Sequence, residues 1–475
     1  MSSQGKPSLG TRIAYGIGGA TDGIKNNGFE YFLLFYYSLI LGVPAGLVMV
    51  ALTIALIVDA VSDPVVGYWS DNCRTKWGRR HPFMYAALIP VCVSYFLAWN
   101  PPAGLDTGGL FVWLVVMTLL VRISFTFFEV PASALAAELT NDYDGRTSLM
   151  AARYFFAWFG GLSIQVLLLF VLLKNDFTNL DGWHTYGMVA AGVILLTSFI
   201  CAAGTHKHIP HLKPPPVQRK LTLSKVFSEI FETVSNPSFR ALFLGTLFGL
   251  IATGISATLN QYINSIFWGF TPVQISGLTM GVFLSAGAAL VLAPIVGKVF
   301  GKKRGAIVIG LVAFTLAPTP VVLRLLGLLP PNGTELLYWI ILIITVFDLV
   351  LIITFQMLSG SMVADIVEDS ELKTGRRSEG IFFAGISFVR KLSQASGVFV
   401  ATIVLGIAQI QAGAGPAEVS ETSTRLLGIG YAIGVFTAWM LMLVCFSFYR
   451  ISRETHESNL SKLESLQSTD PGAHG

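Results

Sequence analysis

Apolar residues run through this chain in long blocks separated by short polar stretches. A hydrocarbon core of about 30 Å takes roughly 20 apolar residues of α-helix. Twelve blocks approach or exceed that length: 13–41, 45–70, 82–99, 109–138, 148–173, 184–204, 238–268, 273–299, 305–326, 335–366, 379–411 and 424–449. Several are longer than a span needs, which implies tilt or extension past the bilayer. The widest polar interval, Thr205 to Asn236, divides the blocks six and six. It holds the stiff run Lys213-Pro-Pro-Pro216, then Leu223, Val226, Phe227, Ile230 and Phe231 at helical spacing. That spacing predicts an amphipathic helix over 221–234 on the membrane surface. The implied organisation is a six-helix bundle over 1–204, a linker over 205–236, a second six-helix bundle over 237–449 and a polar tail over 450–475.

Composition turns the pattern into a membrane assignment. Hydrophobic residues are 53% of the chain and charged residues 12%, half the usual share of about 25%. Mean hydropathy is +0.67. Such a chain cannot clothe itself in polar surface, so lipid is its solvent. The opening residues MSSQGKPSLG lack the pattern of a cleavable leader, so the first block is expected to remain as a span.

Charge adds orientation. Of the 31 Lys and Arg residues, 23 fall on one side of a twelve-span layout, in connections or near block ends, and 3 on the other (Lys174, Arg324, Arg425); the remaining five lie deep inside blocks. The excess of positive charge in cytoplasmic loops then places both termini in the cytoplasm. No basic block is interleaved with aromatics, which disfavours nucleic acid as a partner. The four cysteines are widely spaced and form no metal or redox motif. With no catalytic motif in the spans either, an enzyme is disfavoured.

Two polar features remain. The connection after the second block reads Gly67-Tyr-Trp-Ser-Asp71-Asn-Cys-Arg74-Thr-Lys-Trp-Gly78-Arg79-Arg80, and the second half has a looser echo in Asp365-Ile-Val-Glu-Asp369 followed by Gly375-Arg376-Arg377. Asp71 near Arg79 and Arg80, and Asp369 near Arg376 and Arg377, are expected to pair at helix ends and gate the bundles. Ionisable residues inside the blocks are the second feature. They are Asp22, Lys25, Glu30, Asp59, Asp63, Arg122, Glu129, Arg153, Asp348, Arg390 and Lys391. Each costs about 2.5–3.5 kcal/mol at a span centre, so each points to a partner and a function. Asp59 and Asp63 are four residues apart and share one helix face. Two close carboxylates repel unless a cation binds or one holds a proton. Pro64 follows directly and would free a backbone carbonyl beside them. Arg122, Thr126, Glu129 and Ser133 form one polar stripe on the fourth block, where Arg122 and Glu129 are placed to pair. Asp22, Lys25, Asn26 and Glu30 form a broader stripe on the first, with Asp22 and Lys25 placed to neutralise each other.

Taken together, Asp59-Ala-Val-Ser-Asp63-Pro64, Glu129-Val-Pro131, Arg153-Tyr-Phe-Phe and Lys391, in this order and spacing, resemble the glycoside–pentoside–hexuronide:cation symporters of the major facilitator superfamily. The resemblance runs along the whole chain and includes Tyr15-Gly16-Ile-Gly18. It implies an all-α membrane protein with the major facilitator fold. It also implies cation binding at Asp59, Asp63, Thr126 and the neighbouring Ser62. Sugar contacts are implied at Glu129 and Arg153, and Lys391 would lie near the cation. Asp22, Lys25 and Asn26 complete the candidate substrate set. There are departures. The melibiose carriers have Asn where this chain has Ser62, which leaves the coupling ion open between Na+ and H+. Their stacking Trp is Ser133 here, and their acid in the first span falls near Gly23, with Asp22 beside it as a substitute. Galactoside specificity therefore does not transfer. A sister branch with the same aspartate signature moves lysophospholipids, an alternative substrate class. The expectation is cation-coupled sugar or glycoside symport by a monomer in a bacterial inner membrane, with no cofactor beyond the coupling ion.

Overall fold

The computed structural model describes residues 7–140, 143–209, 237–374 and 396–448, and every element among them longer than one bridged pair is helical. Helix α1 spans Leu9–Asn27 and continues through π-helical turns at Gly28–Phe32 and Tyr36–Ile40. It is followed by α2 (Ala45–Asn72), α3 (His81–Trp99), α4 (Thr107–Leu139), α5 (Tyr143–Val166) and α6 (Leu180–His206). Beyond the linker come α7 (Pro237–Tyr262), α8 (Pro272–Phe300) and α9 (Lys302–Leu316), which resumes after Pro318 as Thr319–Leu325. The chain then forms α10 (Glu335–Thr374), α11 (Ser396–Ile407) and α12 (Glu421–Ser447). Among the described residues, ten helices are long and apolar enough to cross a membrane. Helix α1 misses that standard because Arg12, Asp22 and Lys25 lie within it, and α11 because its described part is short. The linker helix expected over 221–234 and the tail from 450 lie outside the described residues.

The helices divide into two compact units. One comprises Met1–Gln218, Ala257–Thr279 and Leu405–Thr424; the other Arg219–Ser256, Met280–Val404 and Arg425–Gly475. Small residues set the closest approach in the first. Gly16, Gly19 and Gly23 of α1 lie against Ala152, Arg153 and Ala157 of α5, and Gly160 meets Ala20. The paired numbers rise together, so these helices run parallel. In lipid, helix association rests on packing rather than on expelling water, and small residues let the backbones touch. A Cβ on Gly23 would stand 2.6 Å from the carbonyl carbon of Ala157. Helix α6 crosses α1 in the opposite sense: Gly18 meets Cys201, and the Thr21 hydroxyl sits 2.8 Å from that of Thr197 and 2.9 Å from that of Ser198.

Helices α2 and α4 are parallel as well, with Asp59 opposite Arg122, Asp63 opposite Thr126 and Gly67 opposite Val130. At one end of this unit, Phe32, Phe35, Tyr36, Tyr95, Trp99, Trp183 and Tyr186 are all fully buried. Trp99 and Trp183 stack at 5.9 Å, and the Tyr95 and Tyr186 hydroxyls lie 3.2 Å apart, so the polar tips of these two tyrosines are satisfied inside the cluster. In the second unit, Ser285 of α8 donates to the Val346 carbonyl of α10 at 2.9 Å, and Phe314 of α9 stacks on Trp439 of α12 at 4.1 Å.

The glycine contacts give a direct test. Gly23→Leu is expected to push α5 off α1 and destabilise the protein by about 1–3 kcal/mol, the usual cost of overpacking. A lowered unfolding midpoint in detergent, with Gly10→Leu as an unaffected control on open surface, checks it.

Candidate functional site

The polar side chains of α2 and α4 interlock. Arg122 Nη1 donates to Asp59 Oδ2 at 3.2 Å, with both side chains largely buried at 9% and 12% exposure. Thr126 Oγ1 lies 3.2 Å from Asp59 Oδ1, 3.0 Å from Asp63 Oδ1 and 3.0 Å from the Arg122 carbonyl. Ser62 Oγ donates to the Asp59 carbonyl at 3.2 Å and is 3.3 Å from Thr126 Oγ1. The structure thus brings together Asp59, Asp63, Thr126 and Ser62. A threonine hydroxyl has one hydrogen, so it cannot serve both carboxylates and its own helix at once. The Asp59, Asp63 and Ser62 side-chain oxygens all lie within 3.3 Å of Thr126 Oγ1. Helix α2 stays continuous through Pro64. The missing N–H costs only the bond to the carbonyl four residues earlier, that of Ala60.

A second group follows along α4 and across to α5 and α1. Arg153 Nη2 donates to Glu129 Oε2 at 2.5 Å, and Ser133 Oγ donates to Glu129 Oε1 at 2.9 Å. The expected Arg122–Glu129 pair is therefore not formed. Both residues pair across helices instead, because charges on α2 and α5 lie opposite each of them. Asn26 Nδ2 donates to Asp22 Oδ1 at 2.8 Å, and Lys25 Nζ stands 3.9 Å from the same oxygen. Lys25 also caps the Phe125 ring at 4.1 Å, and the Arg153 guanidinium lies over Tyr15 at 5.5 Å. These cations gain aromatic faces where water is excluded. The two carboxylates keep accessible edges, 33% for Asp22 and 27% for Glu129, while Lys25 and Arg153 are each 7% exposed. Position 23 cannot carry the acid that the melibiose carriers place there, since Ala157 fills the space. Lys391 lies outside the described residues.

At the ends of α2 and α4, Arg80 pairs with Asp71 and donates to Ser70 Oγ at 2.7 Å. Both loop arginines also meet Glu138, Arg79 at 2.8 Å and Arg80 at 3.0 Å. Sequence reasoning missed Glu138. It lies about 160° around α4 from Arg122, off the polar stripe. The available signal was an acid in the last turn of a span, at the same end as a basic loop. The echo in the second half is not comparable: Arg376 and Arg377 lie outside the described residues, as does the Asp369 side chain.

Paired charges are spread over α1, α2, α4 and α5 of a polytopic bundle. The chain belongs to the MFS/sugar transport protein family, whose profile matches residues 14–453. It is a membrane transporter of the melibiose-permease-like symporter group, not an enzyme, and a multi-pass integral protein of the bacterial inner-membrane type. It is 23% identical to the isoprimeverose transporter of Lactiplantibacillus pentosus, over 89% of this chain and 84% of that protein. It is 25% identical to the sphingosine-1-phosphate transporter MFSD2B of Mus musculus, over 86% and 83%. The solved structure of a D-xylose-proton symporter superimposes with a TM-score of 0.60 at 13% identity, over 91% of this chain and 97% of that one, a likeness of fold.

Glu138 is the member of the loop cluster whose loss is easiest to read. Glu138→Ala removes the carboxylate that Arg79 and Arg80 share, which is expected to cost about 3 kcal/mol, as for a broken buried pair. Thermal unfolding of the purified variant measures this, and replacing Arg79 by Gln in the same chain should recover part of the loss.

Proposed function

We propose that this protein is a cation-coupled symporter of a sugar or glycoside, with Asp59, Asp63, Thr126 and Ser62 as the coupling site and Asp22, Lys25, Asn26, Glu129, Arg153 and Lys391 as solute contacts. The observation that carries the reading is the pair of half-exposed carboxylates, Asp22 and Glu129, each held in place by a buried cation. Carboxylate edges accept hydrogen bonds from sugar hydroxyls, and the cations beside them hold them in orientation. The family's description as sugar transport supports the same class. The coupling ion in this reading is Na+ or H+. Helix α4 joins the two sites, since Phe125 under Lys25 and Thr126 between the aspartates are adjacent residues. Filling one site therefore bears on the position of the other. Transport then proceeds by alternating access of the two six-span halves, with Asp71, Arg79 and Arg80, and in the second half Asp369, Arg376 and Arg377, holding the loop ends between cycles.

The likeness to a sphingosine-1-phosphate transporter supports a second reading, an amphiphile substrate with the same coupling site. A thermal-shift screen of purified protein against glycosides and lysolipids separates the two. Stabilisation by a glycoside that is lost in Glu129→Gln supports the first, and stabilisation by lysolipids alone supports the second. With the solute in hand, Asp59→Cys is expected to abolish accumulation against a gradient while downhill exchange survives. Uptake by the unaltered protein that ignores both Na+ and pH gradients would sink the coupling claim.

A further inference from the structure

The oxygens around Asp59 and Asp63 make a candidate alkali-metal site, yet a cation is already built into it. Arg122 is 8% exposed, projects from α4 one turn before Thr126, and holds Asp59 Oδ2 at 3.2 Å. Its guanidinium also sits over the Phe29 ring of α1, 5.7 Å from the centroid. The side chain is thus fixed from two directions, by a carboxylate and by an aromatic face. Thr126 Oγ1 lies within 3.2 Å of Asp59 Oδ1, the other oxygen of the carboxylate that Arg122 grips. A metal ion seated among Asp59, Asp63 and Thr126 would share Asp59 with a guanidinium in a region that water screens poorly. Like charges at that separation repel strongly when desolvated. The donor set present does not fit sodium or lithium.

We infer that Arg122 is a tethered cation that excludes alkali-metal ions from the Asp59–Asp63 pair, so that no sodium or lithium gradient drives this carrier. The inference rests on the reading of that pair as the coupling site. It makes Arg122 a specificity-determining residue rather than a solute contact. The positive charge is what matters, so a lysine at this position should exclude metal ions as arginine does, and a neutral residue of similar length should not.

The test is an equilibrium titration of the purified protein with NaCl and LiCl at constant ionic strength, balanced with choline chloride. Thermal unfolding and intrinsic tryptophan fluorescence are the readouts, with neither solute nor gradient present. The unaltered protein and Arg122→Lys are expected to respond to Na+ and Li+ no differently from choline. Arg122→Gln is expected to show a saturable shift with both metals, its apparent affinity rising by at least about tenfold as one like charge is removed. A saturable Na+ response in the unaltered protein overturns the inference, and this measurement needs no variant to fold. Arg122→Gln that folds but stays indifferent to both metals overturns it equally. Failure of the symport reading appears elsewhere, as uptake that ignores every cation gradient, so the two outcomes cannot be confused.

Discussion

Arg122, Arg153 and Lys25 carry three positive charges into a bundle that lipid surrounds, and each is nine-tenths or more buried. Each finds a carboxylate: Asp59 for Arg122, Glu129 for Arg153 and, within α1, Asp22 for Lys25. Neither side of such a pair is tolerable alone at that depth. The remaining features of the first unit follow from keeping these partners in register. The glycine seam between α1 and α5 sets the separation of those two helices. The parallel alignment of α2 and α4 sets which aspartate meets which stripe residue. The π-helical turns at the end of α1 open into the buried aromatic cluster, which anchors that end of the unit. Regular helical bonding yields there to side-chain packing, a substitution seen often near functional sites.

The same pairing puts the proposed coupling residues and the proposed solute acid on one helix. Helix α4 presents Arg122 and Thr126 to α2, then Glu129 to α5, within little more than two turns. Any change in charge at the aspartates changes the forces on a helix that also holds Glu129. Coupling in this sense needs no long relay; it needs one rigid element with two loaded faces.

Much of this was legible in the sequence, and the limits have physical reasons. Span number and approximate ends follow from the length of apolar runs, because lipid thickness imposes them. That Asp59 and Asp63 share a face follows from the helical repeat, as does the stripe on α4. Which residue sits opposite that stripe does not follow, because periodicity fixes the rotation of a helix but not the identity of its neighbour. Arg122 therefore suggested a partner within its own stripe, while the structure gives it one on α2. Glu138 was hidden for a related reason, being off the stripe and significant only through a loop folded back from α2. The vacant acid position at Gly23 was visible as a departure, but its cause lay in the backbone of α5, which no local pattern of α1 reveals.

That contact at Gly23 also constrains how the specificity of this carrier can change over time. Restoring an acid at position 23 takes a single substitution on paper, yet the carbonyl of Ala157 occupies the space the new side chain would need. Its first consequence would be to separate two helices rather than to alter what the protein recognises. The proposed solute contacts Asp22 and Asn26 are less tightly enclosed than that position. A larger side chain at position 23 would therefore need a compensating change on α5.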